Sequence, residues 1–349
     1  MKLSRLENDK IPDRELNKLQ LSMRHQVELK VENGTYQLEE ITCPICEQEK
    51  CEIIGEKDRY GLYYRTNICI SCGMVYTSPR MNQAAFNDFY NIEYRKLYVG
   101  TETPTEVFFN RQKAKAKHIY RFLLNNNLIS EKPLYVLEVG CGAGGILDYF
   151  RDKEHKVKGI DLGEEYIDYG KEHYGLDLKT GTLNEVSRDN KPDLVIYSHV
   201  LEHILDVNAE VELIREFAHE NTIVYIEVPG LKNIHNQFQS NILRYFQNAH
   251  TFHFSLDSLV NLMSKYGFEL IHGTQYVRAA FQLSNKKRQP TSDYDSAIRY
   301  IEKVEKNRPA YPFTIRGMKR NMTLAVLWLL DATRTRVFAR RIKAFFLPS

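Results

Sequence analysis

The chain has 349 residues, a formal net charge of +3, and a composition of 43% hydrophobic, 27% charged and 11% aromatic residues. That length exceeds one typical core, and the charge is too small for a protein that coats duplex nucleic acid with basic side chains. The opening MKLSRLENDKIPDREL carries no apolar run and six cysteines are too few for a disulfide framework, so a cytoplasmic protein without a signal peptide is expected.

Residues 1–40 are polar and weakly periodic and read as a helical or hairpin leader. Residues 41–103 carry two C-x2-C pairs, Cys43–Cys46 and Cys69–Cys72, with 22 residues between them. Four thiolates on two knuckles match a tetrahedral structural Zn2+ site, which leaves no open position for chemistry. The metal is therefore expected to hold a small zinc-ribbon-like module. Cys51 is a spare thiol. Lys57, Arg59 and Arg65 alternate with Glu52, Glu56 and Asp58, which is no basic stripe for RNA.

Residues 104–285 begin with a connecting helix marked by Phe108, Ile119, Phe122, Leu123 and Leu128. Apolar strands are expected at 134–139, 157–161, 193–198 and 222–228. Helical periodicity lies between them, clearest at Val207, Val211, Ile214 and Ala218. A second helix carries Leu256, Leu259, Val260 and Met263 and stops at Gly267; strands at 268–272 and 275–283 then form a hairpin. This alternation predicts an α/β, Rossmann-like, mostly parallel sheet with an antiparallel edge hairpin. Residues 286–349 read as a helical extension. From residue 313 onward it holds eight Lys/Arg and one acid, Asp331. A basic amphipathic helix of this kind suits contact with the inner face of a membrane, or docking on the core or a partner chain.

The stretch YVLEVGCGAGG, residues 135–145, is a strand entering a glycine-dense turn. Gly140, Gly142 and Gly144 give G-x-G-x-G, and Gly145 also completes the G-x-G-x-x-G spacing of a dinucleotide site. Asp161 closes the next strand at the distance expected of a ribose-binding acid, so an NAD-dependent sugar-modifying oxidoreductase stands as an alternative. Glu138 favours a ligand with a positive group. In Glu138-Val139-Gly140-Cys141-Gly142-Ala143-Gly144 the chain resembles the class I S-adenosylmethionine (SAM)-dependent methyltransferases, over about residues 105–283. GIDLGEEYIDYG, DLVIYSHVLEHI and HTFHFSLDSLVNLMSKYGFEL contribute to that resemblance.

The resemblance implies that Glu138 lies near the methionine ammonium and that Gly140, Gly142 and Gly144 pack under methionine and ribose. Asp161 would hold the ribose diol with Leu162 beside adenine. Thr182 and Ser198 complete the expected SAM contacts. The acid the family often places near the adenine amine is missing from Thr182-Leu183-Asn184 or displaced to Glu185.

His199-Val-Leu-Glu202-His203 matches the H-x-x-E-H pattern of inverted zinc peptidases, but it follows a strand directly and the periodic helix starts later, near Asp206. In the methyltransferase resemblance it faces the methyl donor. His199 is then the first candidate for a general base, His203 the second, and Glu202 an orienting partner. His250 and His253 fall in an insertion read either as part of an acceptor pocket or as a solvated loop. CISCGMVYTSPR and FYNIEYRKLY resemble the zinc module that precedes methyltransferase domains in sugar-modifying enzymes. That implies a sugar-containing acceptor and polysaccharide biosynthesis, with Tyr90, Tyr94 and Tyr98 either closing over SAM or the acceptor or packing a helix. A zinc-ribbon adaptor for nucleic acid or protein is the alternative from another class.

Overall fold

The computed structural model describes residues 3–99, 105–286 and 288–332. The leader forms one helix, α1 (Lys18–Glu32), opened by a capping box in which Asn17 and Gln20 satisfy each other's backbone N–H groups. Five short strands follow: β1 (Leu38–Glu39), β2 (Cys51–Lys57), β3 (Tyr63–Cys69), β4 (Val75–Thr77) and β5 (Arg80–Met81). Next come α2 (Gln83–Phe89), a π-helical turn (Tyr90–Tyr94) and α3 (Arg95–Val99).

The long helix α4 (Glu106–Asn125) leads into the main α/β body. Its elements run β6 (Tyr135–Val139), α5 (Gly145–Arg151), β7 (Lys156–Asp161), α6 (Glu164–Tyr174), β8 (Leu178–Thr180), β9 (Leu194–Ser198), α7 (Val207–Phe217) and β10 (Ile223–Glu227). An insertion then carries α8 (Ile234–Gln237), α9 (Ile242–Tyr245) and β11 (Phe252–His253). The body closes with α10 (Leu256–Lys265), β12 (Phe268–Gly273) and β13 (Arg278–Leu283), and two helices end the described chain: α11 (Tyr294–Asn307) and α12 (Ile315–Ala332).

The seven-stranded sheet has the order β12-β13-β10-β9-β6-β7-β8. β10, β9, β6, β7 and β8 are parallel, and β13 and β12 join antiparallel at one edge. The expected α/β sheet with an edge hairpin is what forms. Its central strands are buried on both faces, which is why they read as unbroken apolar runs such as Leu194-Val195-Ile196-Tyr197. Strand order reverses between β6 and β9, so a crevice opens at their carboxyl ends.

The cysteine-bearing segment builds a four-stranded sheet, β11-β4-β3-β2. Its outer strand β11 comes from the insertion after β10, with Phe252 opposite Tyr76 and His253 opposite Val75. The insertion is therefore a packed wall rather than a solvated loop; Tyr245, Phe246, Phe252 and His253 are each at most 1% exposed. Cys43, Ile45, Cys69, Cys72, Met74 and Tyr76 share one apolar cluster with Leu137, Val195 and Val224 of the main sheet. The two halves thus exclude water from a common interior, the dominant favourable contribution to folding.

Candidate active site and candidate metal centre

The glycine loop sits at the crevice. Gly140, Gly142 and Gly144 all have positive φ, a conformation that L side chains avoid. At Gly140 a Cβ would also run into the Val200 side chain. The Gly140 and Cys141 N–H groups donate to Ile160 O at 2.7 and 3.1 Å, stitching the loop to the end of β7. Gln112 of α4 reinforces it, donating to Cys141 O at 3.0 Å and accepting from Gly145 N at 3.3 Å.

The Asp161 carboxylate accepts from Gly142 N at 2.8 Å and from Gly163 N at 2.7 Å. The Arg95 guanidinium lies 3.4 Å from the same carboxylate and 3.7 Å over the Tyr166 ring. Burial works against the Arg95 charge, but Asp161 and the surrounding phenols hold its pKa above the usual value. Leu162 is 57% exposed beside this acid. Thr182 N and Oγ1 both donate to Glu185 Oε2, at 2.6 and 2.7 Å, so this acid closes its own short turn.

Glu138 is buried at the tip of β6, with Oε2 lacking a hydrogen-bond partner. Burial pushes its pKa well up; Lys115 opposes that and Asp161 adds to it. A buried carboxyl oxygen with nothing to bond is costly, and a cationic ligand would relieve that cost. Ser198 Oγ, at the tip of the neighbouring strand, is likewise buried without a partner.

His199 follows β9 with φ +59°, an uncommon backbone state for a non-glycine residue. Its N–H donates to Glu227 O at 2.7 Å, which fixes the turn. The half-open imidazole stands between two buried carboxylates: Nδ1 is 3.5 Å from Glu202 Oε1 and Nε2 is 4.0 Å from Glu227 Oε1. Burial alone would raise the Glu227 pKa, yet Lys115 at 3.8 Å, His199 and Arg278 at 3.0 Å bring it down to about 2. Glu202 follows the same logic: burial opposes its charge, and His199 and His203 outweigh burial, so its pKa falls.

His203 lies in a single 3-10 turn, Leu201–His203, and not one helical turn from His199. The peptidase-like helix is therefore not formed. The His203 Nδ1 faces Ala249 O at 3.0 Å, and its ring meets Tyr90, Tyr94 and His250 edge-on at 5.8, 5.7 and 4.6 Å. Burial lowers the pKa of His203 and His250. Donor atoms of Glu202, His203 and His250 fall within 4.8 Å of one another, a compact set of buried polar groups that the chain order does not reveal. Tyr90, Tyr94 and Tyr98 stack in series, with centroids 4.3 and 5.8 Å apart, and Tyr90 and Tyr94 form a roof over His203.

The four cysteines converge. Cys43 Sγ lies 3.4 Å from Cys72 Sγ and Cys46 Sγ lies 3.4 Å from Cys69 Sγ, with all four sulfurs within 4.8 Å of one another. Four thiolates at these separations fit around an ion with metal–sulfur distances of about 2.3 Å. Cys51 is exposed and Cys141 is buried in the glycine loop, both apart from the cluster. The knuckle is tied down from outside: Asn208 Nδ2 donates to Pro44 O at 2.9 Å and Lys265 pairs with Glu47 at 2.8 Å.

Sequence reasoning missed Gln112, Lys115, Glu227, Arg278 and Arg95. Glu227 ends an apolar strand, as Glu138 does, and that shared pattern was a usable signal. The basic side chains sit among other lysines and arginines, and only the fold selects them.

Residues 109–273 match the family described as methyltransferase domain. A ubiquinone biosynthesis O-methyltransferase of Rhodopseudomonas palustris (strain HaA2) is 32% identical over 81 residues, which is 22% of this chain and 32% of that protein. A namesake from Bradyrhizobium sp. (strain ORS 278) is 30% identical with the same coverage. The chain spans about a third of the length of the curated relatives it matches. Among solved structures, the 1,6-didemethyltoxoflavin-N1-methyltransferase of Burkholderia thailandensis is 14% identical, with a TM-score of 0.43 over 61% of this chain and 96% of its own. The magnesium protoporphyrin IX methyltransferase of Synechocystis PCC 6803 is also 14% identical, with a TM-score of 0.41 over 58% of this chain and 98% of its own. The glycine loop, Asp161 and the His199 turn all lie inside the segment that matches the methyltransferase-domain family.

Proposed function

We propose that the protein transfers a methyl group from SAM to a sugar-containing acceptor, with a structural zinc at the four cysteines. The observation that carries the methyl-donor reading is the pairing of two acids at neighbouring strand tips. Asp161 is aimed by two backbone N–H groups, and Glu138 is buried with an unpartnered oxygen. The first has lone pairs left for a ribose diol; the second suits an ammonium. A pyrophosphate would meet two carboxylates in the same crevice, which disfavours a dinucleotide.

SAM supplies a methyl carbon bonded to a positively charged sulfur. A nucleophile from the acceptor forms the new bond to carbon as the carbon–sulfur bond breaks, and the electron pair leaves on sulfur. What this chain contributes is positioning and proton removal. His199 accepts the acceptor's proton, and Glu202 and Glu227 stabilise the imidazolium that results. His203, Nδ1 engaged by Ala249 O, presents its other nitrogen beneath the tyrosine roof as the second candidate. The resemblance of the cysteine module to those of sugar-modifying enzymes supports a sugar acceptor, as do the aromatic faces of Tyr90, Tyr94 and Tyr98 beside charged groups that can meet hydroxyls. Calorimetric titration of the zinc-loaded protein with SAM and with NAD, followed by a labelled-methyl assay over nucleotide sugars and envelope glycans, tests the reading. Heat for NAD and none for SAM would overturn it.

A further inference from the structure

The described part of the C-terminal extension presents an apolar stripe to solvent. On α12, Ile315 is 71% exposed, Met318 50%, Met322 69% and Val326 46%; Phe313, just before the helix, is 81% exposed. Steps of three, four and four put these helix residues on one face, within roughly a quarter of the circumference. Arg316, Lys319 and Arg320 flank the stripe. Such an apolar face costs free energy in water unless something covers it.

The preceding helix is firmly seated, which fixes where the stripe stands. Asp293, at the start of α11, donates its N–H to Cys72 O at 3.0 Å, accepts from Ser255 Oγ at 2.6 Å and pairs with Lys232. Ala297, Ile301 and Val304 bury the inner face of α11. Arg5 and Glu305 pair at 2.6 Å near its far end. The chain then turns through Arg308–Phe313 into α12. A load on α12 is therefore carried into the body beside the cysteine knuckle.

Charge selects the occupant. The sequence from 313 onward holds eight Lys/Arg against Asp331 alone, whereas the rest of the chain is mildly acidic. A second copy would bring the same cations face to face, and the acidic remainder of the chain is not what the stripe is folded against. No helix among the described residues is long and apolar enough to cross a membrane. We propose that α12 lies in the plane of an anionic lipid surface, its Ile315–Met318–Met322–Val326 face entering the headgroup boundary by about 5–10 Å while the flanking cations meet lipid phosphates. The active site is thereby held at a surface where a lipid-linked acceptor would be found. The remainder of the basic segment, 333–349, lies outside the described residues.

The test uses the full-length, zinc-loaded chain and vesicles of phosphatidylglycerol with phosphatidylcholine, against phosphatidylcholine alone. Co-sedimentation is expected only with the anionic vesicles, and salt well above physiological strength releases the protein. Met318→Glu with Met322→Glu should reduce partitioning at least about tenfold, with thermal midpoint and SAM titration unchanged. Arg316→Glu with Lys319→Glu should do the same through charge. The proposal is overturned by absence of pelleting, by equal pelleting on neutral vesicles, or by retained binding in the methionine pair. It is also overturned if light scattering shows a dimer that the methionine pair splits, since the stripe's occupant is then a second copy. Vesicle binding needs no methyl donor, so failure here leaves the methyltransferase reading standing, and the reverse holds too.

Discussion

The Nδ1 of His199 stands 3.5 Å from the Glu202 carboxylate, which is buried and without a conventional hydrogen bond. A carboxylate in that place stabilises the protonated ring, which is what a base needs once it has taken its proton. Replacing His199 by Gln should lower kcat by about 10²–10⁴-fold, the usual value of a positioned acid–base group, with SAM affinity little changed. A labelled-methyl turnover assay beside a SAM titration measures both. If turnover persists, His203 is the group to exchange next.

Asp161 accepts two backbone N–H bonds at 2.7 and 2.8 Å and has lone pairs in reserve. Asp161→Ala should weaken SAM binding by roughly 10–100-fold, since hydrogen bonds to a charged group are worth about 1.5–3 kcal/mol. Isothermal titration measures this directly. An unchanged affinity would remove Asp161 from the SAM contacts.

The four cysteine sulfurs share an apolar cluster with strands of the main sheet. Chelating the proposed zinc, or changing Cys43 and Cys46 to Ser, should therefore unfold both halves in one transition. The lost contribution is comparable with the roughly 5–15 kcal/mol net stability of a domain. Near-ultraviolet dichroism during chelator titration reports this. Independent melting of the cysteine segment, with SAM binding intact, would contradict it.

Burial holds His253 neutral down to about pH 3, against about 6.5 for an exposed imidazole. His203 and His250 are shifted in the same direction by burial. Below about pH 6.5 the unfolded chain binds more protons than the folded one, so stability falls as pH drops through that window toward 3. Asp58, raised to about 6 by burial, acts oppositely and adds stability below that pH, as do Glu138 and Glu210, but His155 and His235 are lowered by burial as well, so five imidazoles stand against three carboxyls. Tm should fall between about pH 7 and 5. His253→Gln should make that slope shallower, a change that differential scanning calorimetry resolves.

The parallel core was legible because fully buried strands leave continuous apolar runs: β6, β7, β9 and β10 begin and end within a residue of the ranges expected from hydrophobicity. β8 is three residues long with two of them exposed, too short and too polar to announce itself. β11 has two residues, and its partner Val75–Thr77 lies far away in the chain, so no local pattern marks it. The places of Asp161 and His199 at strand ends were legible because each closes or directly follows an apolar run. Glu227 and Lys115 were not, because their importance comes from a contact between a strand tip and a helix side chain more than a hundred positions apart. The half-and-half expectation for the insertion turned on the same gap. Its many aromatics are buried against the cysteine-bearing sheet, and nothing within the insertion itself states that partner.

The bridge between Phe252 and Tyr76 bears on how this chain can be cut. A fragment beginning near residue 105 would keep every residue of the glycine loop and still be incomplete. Phe252 and His253 would lose the strand they border, and the apolar cluster that holds Val195 and Val224 would lose Met74 and Tyr76. Such a fragment should aggregate rather than turn over. The shortest fragment that keeps this fold therefore starts upstream of Cys43, and a search for minimal active pieces should keep the knuckles attached.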